Sequence, residues 1–446
     1  MRRFAALLTL LLPMLAGCSS RAHLNPFDPE NPQTGGRPAG FAAIAGDRTV
    51  LLRWQAASSP QLLGYQLFRL APGDTAFLPV TGLLPSNRTS VVDFLLLNGV
   101  QLRYRLHFVF DRGLGGLPAE DVATPGPLVP WVADYGSGSL VRLSADGRHI
   151  ATSFQPTDLS RPVAVDVNPA DGKVWSVGVA SGVLVYDPNT TQQTLIGEEL
   201  TQPVSVAVDR KNGSAWVGDA GSATVVHLQP WGAPADPPAL SGLDYPGSLA
   251  LDRANGSLWV VEQDGNRVRR YDAQGALAAT ATLSRPSQIA VDTLTHEAWV
   301  TSFASGRIVR LSPNGTPLDT VTACRGPIGI AVDATGGRIW VADAAGDQVV
   351  ALTRDGTVQF QITGLPEARQ IVVDESTGEA WVTLTAAGAV ARLSPDHREV
   401  QRVGGTNAPW GIALDDVRER TGTMAASTEA RAPAGVAAIR RIAPRP

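Results

Sequence analysis

The chain has 446 residues, of which 44% are hydrophobic and 17% are charged, which excludes a chain that is disordered over most of its length. The 45 glycines and 33 prolines indicate many turns, as in an all-β protein. The formal charge is −4. Arg2 and Arg3 contribute +2 of it and residues 416–446 contribute +3, so residues 18–415 carry −9. This acidic balance argues against a nucleic-acid-binding protein.

The amino terminus has the pattern of an export signal. Two basic residues precede an apolar stretch, Phe4 to Leu15, that is too short to span a bilayer. The segment Leu15-Ala16-Gly17-Cys18 resembles the lipobox of bacterial lipoproteins. The resemblance implies that residues 1–18 comprise a signal peptide and an acylated cysteine, Cys18, and that the protein is an outer-membrane lipoprotein of the cell envelope. The alternative is an ordinary secretory leader with a chance cysteine.

A spacer and a first domain are predicted to follow this signal. Residues 19–36 contain several Pro and Gly interruptions and no apolar periodicity, which predicts a flexible spacer. Within residues 37–125, apolar and polar residues alternate in segments such as 102–108, which predicts strands with one buried face. The spacing of Trp54, Tyr65 and Tyr104 resembles a fibronectin type III module. That resemblance implies a β-sandwich that serves as a spacer or an adhesive unit.

Tryptophan then recurs seven times at a nearly constant interval. The intervals are 44, 41, 43, 40, 41 and 41 residues. The seven residues are Trp131, Trp175, Trp216, Trp259, Trp299, Trp340 and Trp381. A fixed period of about 40–45 residues indicates a repeat protein whose units pack against their neighbours. We expect these large side chains to lie between adjacent units.

Each repeat has the pattern of four short strands, A to D. Strand A is exemplified by residues 327–333, strand B begins near the tryptophan, and strand C is exemplified by residues 307–311. Turns rich in Asp, Asn and Gly separate the strands, because Asp accepts bonds from nearby amides and Gly tolerates a positive φ. Four-stranded antiparallel units of this length fit the blades of a β-propeller.

The two ends of the repeat array are complementary. The first repeat, at Trp131, lacks a strand A, and the last strand A, residues 409–415, lacks strands B to D. Joining them would complete a seventh blade and cover both open edges of the array. The predicted fold is therefore all-β: a seven-bladed β-propeller over residues 126–415, closed by a C-terminal strand and preceded by the fibronectin type III-like β-sandwich.

The repeated motif, as in Pro327-x-x-Ile330-Ala-Val-Asp333 followed by Trp340-Val-Ala-Asp343, resembles NHL and related YVTN-type repeats. A ring of seven such units also resembles the streptogramin lyase branch of these propellers. The resemblance implies that ligands bind on the face that carries the D–A and B–C loops.

Residues of both charge signs are predicted on that face. The B–C loops carry the acidic residues Asp134, Asp219, Glu262 and Asp343. The loops before strand A carry Arg161, Arg285 and Arg325, and Tyr245 and Trp410 add aromatic surface. Such a set suits a polar ligand. The alternative interpretation is that the Asp residues cap loops and the Arg residues pair with them.

Two kinds of chemistry are alternatives at this face. Lactonase-type propellers hold a divalent ion through Glu, Asn and Asp, and hard oxygen ligands suit Ca²⁺ or Mg²⁺, so the acidic ring would serve a metal-assisted hydrolase or lactonase. A lyase would need a general base, commonly histidine. The repeat histidines, His149, His227, His296 and His397, are instead predicted on or near the opposite face. We therefore favour a protein without a cofactor or catalytic residues.

Cys324 and residues 416–446 are interpreted without a functional role. Cys324 aligns with Leu in five of the six other repeats, which predicts a small buried core residue rather than a redox thiol. Residues 416–446 lack strand alternation and are predicted to be a disordered tail. Together, the patterns favour a lipid-anchored envelope protein whose propeller binds a protein, a peptide or a glycan. The sequence leaves open the ligand and whether the protein faces the periplasm or the exterior.

Overall fold

The computed structural model describes residues 25–179, 182–237 and 239–419. Within these residues nearly all regular structure is β-strand, and the helices are two short 3-10 turns, η1 (Ala344–Gly346) and η2 (Val417–Glu419). No helix in this part of the chain is long and apolar enough to cross a membrane. The predicted all-β class is confirmed. Cys18, the rest of the predicted leader and most of the predicted tail lie outside the described residues.

The first eight strands form two antiparallel sheets. Their bounds are β1 (Ala42–Gly46), β2 (Thr49–Arg53), β3 (Gly64–Leu70), β4 (Leu78–Pro79), β5 (Leu84–Pro85), β6 (Ser90–Asp93), β7 (Leu102–Phe110) and β8 (Gly113–Ala123). One sheet has the order β1-β2-β6, and the other has the order β4-β3-β7-β8, with β5 also paired to β3. Trp54, Tyr65 and Tyr104 are buried in one apolar cluster that contains side chains from both sheets. We call these two sheets the N-terminal sheets.

The segment before β1 is folded from Asn25 onward. The Phe27 ring packs edge-on against Phe108 and Phe110, with ring centroids 4.7 and 5.0 Å apart. The Asn31 side chain is buried and accepts the amide of Gln33 at 2.8 Å. The prediction of a flexible spacer is therefore wrong for residues 25–36, because one aromatic residue among the prolines anchors the turns to the domain. Residues 19–24 lie outside the described part.

Seven antiparallel sheets, which we number I to VII, follow in the described residues. Sheet I contains β9 (Leu128–Asp134), β10 (Ser139–Leu143) and β11 (Ile150–Phe154) together with the last strand, β35 (Pro409–Asp416). Sheet II contains β12 (Pro162–Val167), β13 (Val174–Gly178), β14 (Val183–Asp187) and β15 (Gln192–Ile196). Sheet III contains β16 (Pro203–Val208), β17 (Ala215–Asp219) and β18 (Thr224–Leu228).

The other four sheets repeat the same order. Sheet IV contains β19 (Pro246–Leu251), β20 (Leu258–Glu262), β21 (Arg267–Tyr271) and β22 (Leu277–Thr282). Sheet V contains β23 (Ile289–Val291), β24 (Ala298–Ser302), β25 (Arg307–Leu311) and β26 (Pro317–Val321). Sheet VI contains β27 (Pro327–Asp333), β28 (Arg338–Asp343), β29 (Gln348–Thr353) and β30 (Val358–Thr363). Sheet VII contains β31 (Ala368–Asp374), β32 (Glu379–Leu384), β33 (Ala389–Ser394) and β34 (Arg398–Gly404).

The repeated tryptophans lie between neighbouring sheets, as predicted. All seven are buried. Trp131 of sheet I packs with Val165 and Val174 of sheet II, and each following tryptophan packs with the next sheet in the same way. Trp381 of sheet VII packs with Val132 and Val141, which returns the series to sheet I. The arrangement is consistent with a β-propeller.

The last strand pairs with the first strand of the array. β35 runs antiparallel to β9, with Ile412 opposite Val132 and Ala413 opposite Trp131. β35 thus holds in sheet I the edge position that strand A holds in sheets II to VII. Because every pairing in these sheets is antiparallel, the loops after strand B lie on the same face as the loops before strand A. We call this the B–C face.

Sheet I also contacts the N-terminal sheets. The amide of Ala145 donates to the carbonyl of Ala45 at 2.9 Å, and the amide of Thr124 donates to Asp146 Oδ2 at 3.0 Å. His149 Nε2 lies 2.8 Å from Asp121 Oδ2. This junction lies at the end of the N-terminal sheets where β8 finishes.

Removal of β35 tests whether the last strand holds the array together. We expect a chain that ends at residue 407 to lose at least about 10 °C in Tm, because Ile412 and Leu414 leave the cluster around Trp381 and the edge of β9 is exposed. A chain that ends at residue 419 is the control and should have the same Tm as the full-length protein. Thermal denaturation followed by circular dichroism measures both. Equal Tm values for the two truncated chains would contradict the prediction.

Candidate binding site on the B–C face

Three of the predicted acidic residues cap the loop before strand A of their own sheet. Each is the last residue of strand B and is buried. Asp134 accepts the amide of Asn407 at 2.8 Å, Asp219 accepts the amide of Gln202 at 2.6 Å, and Asp343 accepts the amide of Gly326 at 2.7 Å. These carboxylates are therefore used to hold the loops of the face in place.

Glu262, the fourth acidic residue, has the same position but different partners. It accepts the amide of Asp244 at 2.7 Å. It also forms ion pairs with Arg267 at 2.7 Å and Arg269 at 2.9 Å, both of which lie on β21 of the same sheet. The charge of Glu262 is thus neutralised within sheet IV.

The four acidic residues of the B–C face do not form a metal-binding cluster. Within the described ranges, no group of three or more His, Cys, Asp or Glu residues has an arrangement that could hold a metal ion. The geometry therefore gives no support to the divalent cation of the hydrolase alternative, because each carboxylate is turned toward its own loop.

The pKa shifts of Asp134 and Asp219 have opposite signs, because burial and hydrogen bonding contribute to them in different proportions. Burial raises the pKa of Asp134 above its usual value, and the bonds from Ser137 and Asn407 only partly offset this effect. Burial also opposes ionisation of Asp219, but the bonds from Ser222 Oγ and from the amides of Thr201 and Gln202 outweigh it and lower the pKa.

The predicted arginines do not pair with these carboxylates. Arg161, Arg285 and Arg325 are exposed, and their guanidinium groups have no ion-pair partner among the described residues. Arg325 meets Asp343 only through its backbone amide, at 3.0 Å. The interpretation that Asp residues cap loops agrees with the geometry, whereas the pairing of these three arginines with them is wrong. The three guanidinium groups are therefore available on the face, whereas the four predicted carboxylates are engaged by loop amides or by arginines of sheet IV.

Four side chains form a stacked column across three neighbouring sheets. Trp410 of sheet I stacks on Tyr135 of the β9–β10 loop, with centroids 4.1 Å apart and rings 8° from parallel. The guanidinium carbon of Arg369, on β31, lies 3.8 Å from the centroid of Trp410. Arg161, before β12, lies 5.4 Å from the centroid of Tyr135 and donates to its hydroxyl at 3.4 Å. We call Arg369, Trp410, Tyr135 and Arg161 the stacked column.

Two members of the column, Tyr135 and Arg369, are absent from the predicted site. The repeats contained a signal for Arg369, because it occupies in sheet VII the position that Trp410 occupies in sheet I, directly after the first residue of strand A. Tyr135 directly follows the predicted Asp134. Their contact with Trp410 depends on how sheets VII and I meet, which the linear pattern does not contain.

Arg369 has donors that no described residue uses. Its side chain is 26% exposed, and its ion pair with Glu367 is long, at 4.0 Å. Burial lowers the pKa of Arg369, and Glu367 only partly opposes this effect. No hydrogen bond joins its guanidinium to any residue that the structure describes. A half-buried guanidinium of this kind is suited to a planar anionic group such as a carboxylate.

A groove of about 470 Å³ lies beside the column. It is lined by Gly136, Ser137, Gly138, Gln155, Pro156, Thr157, Asp158, Leu159, Ser160 and Arg161. The lining is rich in small residues, so backbone groups border much of the groove. Arg161 belongs to both the groove and the column, which places the groove next to the Tyr135 end of the column.

The remaining predicted residues lie apart from the column. Tyr245 is half-buried before β19 and makes no ring contact with another described residue. Cys324 is buried in the cluster between sheets V and VI, and burial raises the pKa of its thiol to about 12, which fits the predicted core role.

The histidines of the repeats occupy elements away from the B–C face. His149, His296 and His397 lie in turns at the opposite ends of the strands, and His227 lies within β18, stacked on Trp216. None of the described histidines is therefore positioned as a general base at the column.

Comparison with known proteins supports the fold. No protein-family model and no curated protein matches this chain. The solved structure of a functionally unknown protein from Desulfotomaculum acetoxidans is 16% identical, with a TM-score of 0.54, and the match covers 64% of this chain and 98% of that one. A protein from Lactobacillus plantarum is 14% identical, with a TM-score of 0.53, and the match covers 65% and 99% of the two chains.

A streptogramin B lyase structure is also similar, at 20% identity and a TM-score of 0.49, over 56% of this chain and 86% of that one. At such identities the likeness concerns the fold alone. The chain has an all-β, propeller-like fold, and its structural neighbours include streptogramin lyase-like proteins.

The contributions of Asp219 and Asp134 to the free energy of unfolding are expected to change with pH in opposite directions. The folded state lowers the pKa of Asp219, so its contribution to stability is complete above the unfolded pKa of about 3.9 and is lost as the pH falls through the folded pKa. We expect Asp219→Asn to cost about 1–3 kcal/mol at pH 7 and progressively less below pH 4. Urea denaturation at several pH values measures this difference.

Asp134→Asn is the matched control. The folded state raises the pKa of Asp134, so the charged carboxylate disfavours folding and the substitution should become less costly as the pH rises. If the destabilisation by Asp219→Asn and by Asp134→Asn changed in the same direction with pH, the opposite pKa shifts of the two carboxylates would be contradicted.

Proposed function

We propose that sheets I to VII close into a seven-bladed β-propeller and that the N-terminal sheets form a fibronectin type III-like sandwich. Two observations support the ring. The tryptophan clusters link each sheet to the next and sheet VII to sheet I, and the first strands contact one another in a cycle that β35 completes between β31 and β12. The three-strand and four-strand orders of the N-terminal sheets, around one shared core, support the sandwich.

We further propose that the protein is a lipid-anchored binding protein of the cell envelope and that its B–C face takes an anionic ligand. The observation that carries this proposal is Arg369, a half-buried guanidinium stacked on Trp410 whose hydrogen-bond donors are unused by described residues. Arg161 supplies a second cation at the other end of the column. The lipobox-like segment at Cys18 is the basis for the anchor and for an envelope location.

An acidic protein or peptide segment fits the site better than a glycan. Tyr135 covers one face of Trp410 and Arg369 covers the other, so neither face is available to a sugar ring. The groove beside Arg161 is bordered by small residues and could accept an extended chain. Glutamate or aspartate side chains of such a chain would reach the two guanidinium groups as paired acceptors.

The metal-assisted hydrolase or lyase remains an alternative without a specific observation in its favour. The four carboxylates that it would use are engaged by loop amides or by arginines. A binding role requires only the cationic column and the groove.

A fluorescent hexaglutamate peptide is a suitable probe, with hexalysine as the charge-reversed control. We expect Arg369→Gln to weaken hexaglutamate binding by about tenfold or more, because a charge-assisted hydrogen bond is worth roughly 1.5–3 kcal/mol. Arg398→Gln is the matched control, since Arg398 is an exposed arginine in β34, away from the B–C face. Fluorescence anisotropy at low salt measures the affinity.

Two outcomes would contradict the proposal. One is equal affinity of wild type and Arg369→Gln for hexaglutamate. The other is binding of hexalysine as tight as that of hexaglutamate, because a cationic site should repel it.

A further inference from the structure

Four leucines are exposed at one end of the N-terminal sheets. They are Leu63, Leu83, Leu114 and Leu117, and between 42% and 56% of each residue is exposed. A single exposed leucine on a soluble domain is ordinary, but several at one end of a small domain indicate a contact surface. We call these four residues the leucine end.

Strand register and a close contact bring Leu114 and Leu83 into one row, and Leu63 directly precedes the glycine of that row. Leu114 lies opposite Val109, and Val109 lies opposite Gly64 on the next strand. Gly64 has no side chain, and Leu83 Cδ1 lies 3.2 Å from the position that a Cβ at Gly64 would take. The amide of Leu63 donates to the carbonyl of Val109 at 3.0 Å. The row therefore crosses three neighbouring strands without a charged side chain.

The leucine end is the end farthest from sheet I. β8 begins at Gly113, beside Leu114, and finishes at Ala123, where the chain leaves for sheet I. Its 11 residues span roughly 30 Å at a rise of about 3.3 Å per residue. Leu95 and Leu97 are also exposed but lie at the other end. There the amide of Leu96 donates to the carbonyl of Arg48, and the amide of Gly99 donates to the carbonyl of Pro125.

The amino-terminal segment reaches the domain at the leucine end. Phe27 packs against Phe110 at the end of β7, and the amide of Leu117 donates to the carbonyl of Gly36 at 3.1 Å. Cys18 precedes Asn25 by seven residues. Even a fully extended chain of that length spans only about 25 Å. A lipid on Cys18 would therefore hold the leucine end close to a bilayer.

We propose that the leucine end inserts into the interface between headgroups and acyl chains of the membrane that holds the Cys18 anchor. This inference rests on the lipid anchor of the proposed function. The leucines supply apolar burial in addition to the acyl chains, and a bilayer is the apolar partner that the anchor keeps permanently within reach. The hairpin tip beside them carries Asp111 and Arg112, whose opposite charges cancel. The propeller is then held away from the membrane, on the far side of the domain.

A fluorescence experiment tests the insertion without depending on acylation. The chain from residue 18, with Cys18→Ser and an amino-terminal hexahistidine tag, is recruited to phosphatidylethanolamine–phosphatidylglycerol vesicles that contain a nickel-chelating lipid. An NBD dye is attached to Leu114→Cys, and Leu95→Cys and Leu277→Cys are matched controls at exposed leucines away from the leucine end. The remaining cysteine, Cys324, is buried.

We expect the dye at position 114 to shift to the blue and to be quenched by doxyl-labelled lipids, whereas dyes at positions 95 and 277 remain as in buffer. Leu83→Asp combined with Leu114→Asp should weaken binding to vesicles without the chelating lipid by about tenfold or more. Equal quenching at all three positions, or none at position 114, would overturn the proposal.

A separate measurement tests the anchor itself. Full-length protein expressed in bacteria should float with membranes in a density gradient, and a much smaller fraction of Cys18→Ser should do so, because the acyl chains supply most of the apolar burial. If both forms remain soluble while the tethered chain still shows quenching at position 114, the proposed lipid anchor is refuted and the membrane insertion of the leucine end is supported. If wild type floats and position 114 stays unquenched, the anchor stands and the insertion is refuted.

Discussion

The pairing of β35 with β9 is the contact on which the rest of the architecture depends. It joins residues that are more than 270 positions apart, as Ile412 opposite Val132. Without it, β9 would present an open edge and Trp381 would lose the side chains of sheet I that cover it. The stacked column also needs this contact, because Trp410 lies on β35 and Tyr135 lies in the loop directly after β9. One long-range pairing thus supports both the proposed ring and the candidate site.

The repeats separate structural and binding roles at equivalent positions. The last residue of strand B is an acid in sheets I, III, IV and VI, and in each case it holds the loop before strand A. The residue directly after the start of strand A varies more freely, since it is Ile328 in sheet VI, Arg369 in sheet VII and Trp410 in sheet I. A rigid, repeated set of caps therefore leaves neighbouring positions available for a ligand.

Much of the fold was accessible from the sequence because its main determinants are periodic. The interval between tryptophans predicted the sheets, and the buried clusters contain those residues as expected. The positions of Asp134, Asp219 and Asp343 and their capping of loops were also predictable, but the predicted pairing of these carboxylates with arginines was wrong, because loop amides are the donors. The column involves three sheets, so the contacts of Tyr135 and Arg369 with Trp410 carried no periodic signal, although Arg369 occupies the position equivalent to Trp410. The fold of residues 25–36 depends on a single aromatic anchor, Phe27, that composition does not reveal.

Hydrogen–deuterium exchange of residues 409–416, read by mass spectrometry on the full-length protein, tests the closing strand most directly. The amides of β35 that bond to β9 should exchange as slowly as those of β27, which holds the equivalent edge position in sheet VI. Exchange of β35 as fast as that of an unpaired segment, with β27 still protected, would show that the array is open and would contradict the ring and the site built on it.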